Sequence, residues 1–84
     1  MENNNKYITG RLGYNSENGR YGLLVSDLWE YEGFRCGENL QVMVEDKWVD
    51  TCMEMAWEKG GQKWYLVGTP YKGKLEYVRA RIKR

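Results

Sequence analysis

The sequence predicts an all-β fold, a small SH3-like barrel of about five to six antiparallel strands. Three observations carry this. Apolar residues come in short runs punctuated by turn signals such as Asn18-Gly19 and Gly60-Gly61. No amphipathic pattern long enough for a helix of even about ten residues runs between them. The chain also holds four Trp, seven Tyr and one Phe among 84 residues. Large rings are an efficient way to build a core in a domain that buries only about 60% of its unfolded surface. An OB-like barrel fits less well, because it usually needs longer strands and often a helix.

Residues 1–5 include Asn3, Asn4 and Asn5 and read as a disordered polar lead, leaving 6–84 as one small β-barrel domain. Lys6 to Tyr14 alternates loosely around Ile8 and Leu12 and predicts a first strand. Asn15 to Gly19 then predicts a hairpin turn, since Asn and Gly both tolerate positive φ. Arg20 to Val25 returns, with Gly22 marking a bulge or a close backbone approach. Ser26 to Asn39 follows no period and reads as a loop pinned to the core by its aromatics. Leu40, Val42 and Val44 alternate with Gln41, Met43 and Glu45, the pattern of a half-buried strand.

Asp46-Lys47 predicts a tight turn into Trp48 to Trp57, a strand long enough to bend and serve both halves of a barrel. Glu58 to Gln62 is a second hairpin turn. Lys63 to Val67 is nearly all apolar, as expected of a central strand. Gly68 to Gly73 is a loop. Tyr77 to Lys83 closes with Val78, Ala80 and Ile82 facing inward and Arg79, Arg81 and Lys83 facing outward. Trp48, Trp57, Trp64, Tyr65 and Tyr21 are expected in the core. Tyr7, Trp29, Tyr31, Tyr71 and Tyr77, near ends and loops, are expected at the surface.

Several functions are disfavoured by composition. The chain has no His, so Ser–His and Cys–His nucleophile pairs are absent. Two cysteines, Cys36 and Cys52, fall short of a four-ligand zinc site and read as structural thiols in a reducing compartment, with a disulfide as the alternative. No phosphate-loop or dinucleotide fingerprint is present. A non-enzymatic protein without cofactor or metal is expected. No apolar run approaches the 18 residues of a membrane span, and no signal-type apolar segment leads the chain. The expected location is cytoplasmic, with no membrane partner.

Net charge is +1, but it is unevenly spread. Residues 27–58 carry nine acids against Arg35 and Lys47, for −7; residues 59–84 carry eight cations against Glu76 alone, for +7. In the basic part, Arg79, Arg81 and Lys83 recur at period two, preceded by Tyr71, Lys72 and Lys74. Together they suit phosphate neutralisation with base stacking, and make nucleic acid the first expected partner. Two plainer readings compete: an edge strand guarded by cations against aggregation, and cross-strand pairing with the acidic segment.

In the acidic part, Trp29, Glu30, Tyr31, Glu32, Phe34 and Glu38 form a candidate surface for a protein partner, such as a host defence protein. The same acids invite a phosphate-mimic reading, which the near-zero total charge weakens. A pocket of aromatics and cations for a small nucleotide is a third class that sequence cannot reveal. The chain is expected as a monomer or an edge-paired homodimer.

Several stretches together resemble a small uncharacterised β-domain family of Firmicutes phage-like and conjugative elements. They are Asn18-Gly19-Arg20-Tyr21-Gly22-Leu23-Leu24, Cys36-Gly37-Glu38-Asn39-Leu40-Gln41-Val42, Trp48-Val49-Asp50-Thr51, Met53-Glu54-Met55, Trp64-Tyr65-Leu66-Val67-Gly68 and Val78-Arg79. The resemblance implies a mobile-element setting, in which small proteins are often DNA-handling accessories or anti-CRISPR-like inhibitors. It implies no catalytic residues.

Overall fold

The computed structural model describes residues 6–84, so the polar lead expected at residues 1–5 lies outside the described residues. Seven strands form: β1 (Tyr7–Asn15), β2 (Arg20–Val25), β3 (Leu28–Tyr31), β4 (Asn39–Val44), β5 (Lys47–Glu58), β6 (Gly61–Leu66) and β7 (Arg79–Lys83). Every pairing is antiparallel, in the order β3-β2-β1-β7-β4-β5-β6, and the sheet curls into a half-barrel. Two three-stranded meanders are therefore joined through β7. The all-β, barrel-like class read from the sequence holds.

The extra strand is β3, inside the segment expected to be a loop. Its hairpin turns at Ser26 and Asp27, both at positive φ (52° and 65°), and β4–β5 turns the same way at Glu45 and Asp46 (48° and 69°). Positive φ at both central residues matches the right-handed twist of the flanking strands. Within β3 the register shifts, pairing Leu24 with Trp29 but Leu23 with Tyr31, so Glu30 is an extra residue. That bulge breaks the alternation that would have marked a strand.

Curling comes from two long strands that each change partner midway. β1 pairs with β7 over Tyr7 to Arg11 and with β2 over Arg11 to Asn15. β5 pairs with β4 over Lys47 to Cys52 and with β6 over Met53 to Glu58, as its length suggested. Glycines permit the tight layering where backbones meet. A Cβ on Gly10 would lie 2.1 Å from the Leu24 carbonyl oxygen, and one on Gly22 2.2 Å from that of Tyr31. Gly22 thus marks a close approach, beside the register shift.

The core comprises Leu12, Tyr21, Leu23, Phe34, Leu40, Val42, Met53, Leu66, Leu75 and Ala80. Fully burying a Leu, Val, Phe or Met side chain contributes about 1.5–3 kcal/mol. Three expected core rings lie elsewhere. Tyr65 pairs with Glu54 on the face of the sheet away from Met53 and Leu66 and takes no part in the core. Trp57 is 77% exposed, because the β5–β6 hairpin extends beyond the core. Trp48 is half-buried on the outer face of β5.

Nor is β6 central. It ends the strand order, and its outer flank is covered by residues 71–73: Tyr65 bridges to Lys72, Leu66 N donates to Tyr71 O, and Gly73 N donates to Trp64 O. Side chains then tie this flank back to the β1–β2 hairpin. Trp64 Nε1 donates to Gly19 O (3.0 Å) and the Tyr21 hydroxyl donates to Gly73 O (3.3 Å).

Candidate nucleic-acid interface

β7 alternates as its sequence requires, with Ala80 buried inward and Arg79, Arg81 and Lys83 on the outer face. Both flanks are occupied: β1 pairs along one side and β4 along the other. β7 thus lies inside the strand order and not at its end, a position the edge-guard explanation for the three cations does not fit. Register places Tyr7 beside Lys83, Thr9 and Gln41 beside Arg81, and Arg11 beside Arg79.

Arg81 is the fixed point of this face. Its guanidinium carbon lies 3.9 Å from the Tyr7 ring centroid and 4.2 Å from that of Trp48. Its Nε donates to Gln41 Oε1 (2.7 Å), while Gln41 Nε2 donates to Asp50 Oδ1 (2.6 Å). Each such ring contact is worth about 0.5–1 kcal/mol when exposed and about 2 when desolvated. Arg79 reaches the same indole more loosely, at 6.0 Å.

Among the described residues, no carboxylate lies within 4.0 Å of Arg79, Arg81 or Lys83. β4 and β7 pair only at Gln41–Arg81 and Val42–Ala80. Beyond that point a groove of ≈ 420 Å³ opens, with Tyr7, Asp50, Arg81 and Lys83 among its lining. Trp48, Gln41 and Asp50 were missed in the sequence as parts of this face. Their one signal was a shared outward phase on β4 and β5.

The remaining basic-site residues gather elsewhere. Lys72 and Lys74 line a separate cleft with Tyr14, Tyr21 and Trp64, and Lys72 is ion-paired with Glu58. Tyr71, expected to be exposed, is half-buried and donates its hydroxyl to Met43 O (2.7 Å). One continuous basic face in the sequence is thus two separate sites in the fold.

The acidic and aromatic set divides as well. Phe34 is 2% exposed and belongs to the core, its N–H donating to Tyr21 O (2.7 Å), so it is corrected from a partner-facing residue to a packing one. Tyr31, also expected at the surface, packs edge-on to Phe34 and donates its hydroxyl to the Glu38 carboxylate. That hydrogen bond to a charged acceptor, together with burial and the Glu38 charge, raises the Tyr31 phenol above its ordinary value. Glu38 also accepts from Arg35 N (2.6 Å). Trp29, Glu30 and Glu32 remain exposed, on and just after β3.

Cys36 and Cys52 are free thiols, exposed and half-buried respectively. Among the described residues no three of Cys, Asp and Glu cluster to hold a metal ion, and no helix is long and apolar enough to cross a membrane.

No curated protein matches the chain. A crystal structure of a protein from Ruminococcus gnavus is similar over 89% of this chain and 100% of its own, with 36% identity and a TM-score of 0.72. That source agrees with the Firmicutes side of the resemblance. The model of DUF5348, a domain of unknown function, matches residues 10–82. That match spans β1 from Gly10 through most of β7, and the chain belongs to the DUF5348 family.

Proposed function

We propose that the protein is a non-enzymatic module that binds nucleic acid on the outer face of β7. The observation that carries this reading is Arg81, held between Tyr7 and Trp48 with Arg79 and Lys83 on either side along the strand. Arg79 and Lys83 are four residues apart, roughly 13 Å along a strand, so they would meet separate phosphates. Arg81 holds the two rings in place, and their free faces offer stacking surface for bases. The reading takes the protein as a cytoplasmic accessory of a mobile element, its curled sheet serving as an SH3-like scaffold.

The test is fluorescence anisotropy with labelled single-stranded DNA, duplex DNA and RNA over a salt series. Two or three phosphate contacts on a single strand give a log–log salt slope of about −1.4 to −2.1. Arg79→Glu with Lys83→Glu should abolish binding at unchanged thermal stability. Unchanged affinity in that variant, or no binding at low salt, rejects the reading.

A second reading rests on β3, which ends the sheet with a flank unpaired among the described residues, Leu28 72% exposed and Trp29 38% exposed beside Glu30 and Glu32. Such an edge suits strand addition by a protein partner, here a host defence effector inhibited in an anti-CRISPR-like manner. Trp29→Ala with Glu30→Lys should then restore plasmid interference in a host carrying an active effector. Full inhibition by that variant excludes β3 as the contact.

A further inference from the structure

A cleft between the β1–β2 and β5–β6 hairpins is one that the β7 reading does not use. Its volume is ≈ 650 Å³, within the range of about 300–1,000 Å³ typical of small-molecule sites. One wall is aromatic. Tyr14 packs edge-on to Tyr21 at 5.4 Å between centroids, and Trp64 stands nearby. The Trp64–Gly19 and Tyr21–Gly73 hydrogen bonds fix two of these rings by their polar tips. Tyr14 keeps 47% of its surface open.

The other lining is cationic: Lys63, Lys72 and Lys74 against Glu58 alone. Glu58 is engaged by Lys72, which leaves Lys63 and Lys74 without a carboxylate within 4.0 Å among the described residues. Strand register brings a fourth ring, outside the lining itself, onto the same strand face as two lining residues. Trp57 pairs with Gln62, which lines the cleft, and shares a strand face with Met55, which does too. Trp57 there is left 77% exposed.

We infer that this cleft binds a phosphorylated planar ligand, a nucleotide, with its ring against Tyr14 and Trp64 and its phosphate at Lys63 and Lys74. Aromatic walls meet the base in the usual stacking mode, and two unpaired ammonium groups meet the phosphate as point charges. The same chemistry is offered by a free mononucleotide and by the 5′-phosphorylated end of a strand. The site is independent of the β7 face and stands or falls separately.

The experiment is an amide and indole NMR titration of the full chain with AMP, inorganic phosphate, adenosine and a 5′-phosphorylated oligonucleotide. AMP should give saturable shifts at the Trp64 indole, leave the Trp48 indole unmoved, and bind more tightly than phosphate or adenosine alone. Lys63→Ala with Lys74→Ala, both exposed positions, should weaken AMP at least tenfold. Tighter binding of the oligonucleotide with the same lysine dependence assigns the site to strand ends; tighter AMP assigns it to free nucleotide. No saturable shift, an AMP affinity no better than that of phosphate, shifts confined to Trp48, or indifference to the lysine variant overturns the inference.

Discussion

The guanidinium of Arg81 and the indole of Trp48 face each other at 4.2 Å across two strands that do not pair with one another. Their contact spans β4, and with Tyr7 on the other side of Arg81 the stack links the outer faces of the two meanders. It follows that Arg81 is structural as well as charged, unlike Arg79 and Lys83. Arg81→Ala and Trp48→Ala should each destabilise by about 1–2 kcal/mol, with the double variant falling short of the sum by at least about 0.5 kcal/mol. Urea denaturation of the four proteins measures this coupling. Simple additivity would show that the stacking carries no energy.

The two left-handed turns hold residues poorly suited to them. Glu45 and Asp46 both sit at positive φ (48° and 69°), a region that costs ordinary residues about 1–2 kcal/mol and Asn or Gly less. Replacing them with Asn and Gly should stabilise the domain by about 1 kcal/mol and raise Tm by roughly 4–8 °C. A fall in Tm would mean that the acidic pair makes contacts worth more than its strain.

Gly22 should tolerate no side chain. With the Tyr31 carbonyl oxygen 2.2 Å from the would-be Cβ, Gly22→Ala must separate β2 from the end of β3. A loss of about 1–3 kcal/mol is expected. Hydrogen exchange should also speed at the amides of β3 before those of β5. Uniform exchange would place the strain elsewhere.

Tyr31 predicts an alkaline weakening. Its phenol is raised above 10.0 mainly by the hydrogen bond to Glu38. The folded state therefore holds that proton more tightly than the unfolded one. The resulting stability is present in full below pH 10.0 and is lost as pH rises through the folded value. Denaturation midpoints between neutral pH and pH 11 should fall less steeply for Tyr31→Phe than for the native chain. Parallel profiles would show that the bond is not kept in solution.

Much of the fold was legible because local chemistry and final geometry agree. Asn18-Gly19 does turn, with Gly19 at φ 71°, and Asn15 and Asn18 both send amides to the Glu32 carbonyl (3.0 Å each). The long β5 bends where its partners change. β3 was hidden because its turn residues, Ser26 and Asp27, lack the glycine that usually announces positive φ, and the Glu30 bulge scrambles its period. Trp48 and Tyr65 were misplaced because ring size signals burial but not which sheet face lies inward, and Trp57 because its hairpin runs past the core.

The outer site was legible only in its charges. Period two fixed the phase of Arg79, Arg81 and Lys83, but their neighbours come from β1, β4 and β5, and strand order is a long-range property. The same gap merged Lys72 and Lys74 with them. A short separation along the chain became a separation between faces once residues 71–73 lined up on β6.

The central place of β7 bears on how the chain reaches this state. It is translated after the six strands that it joins, yet it supplies the seam between β1 and β4. During synthesis the two meanders can form only as separate hairpin sets, with the flanks of β1 and β4 that β7 will fill still open. Pairings between β1 and β7 span most of the chain, and such distant contacts slow folding. The sheet is complete only once this short cationic strand pairs with β1 on one side and β4 on the other.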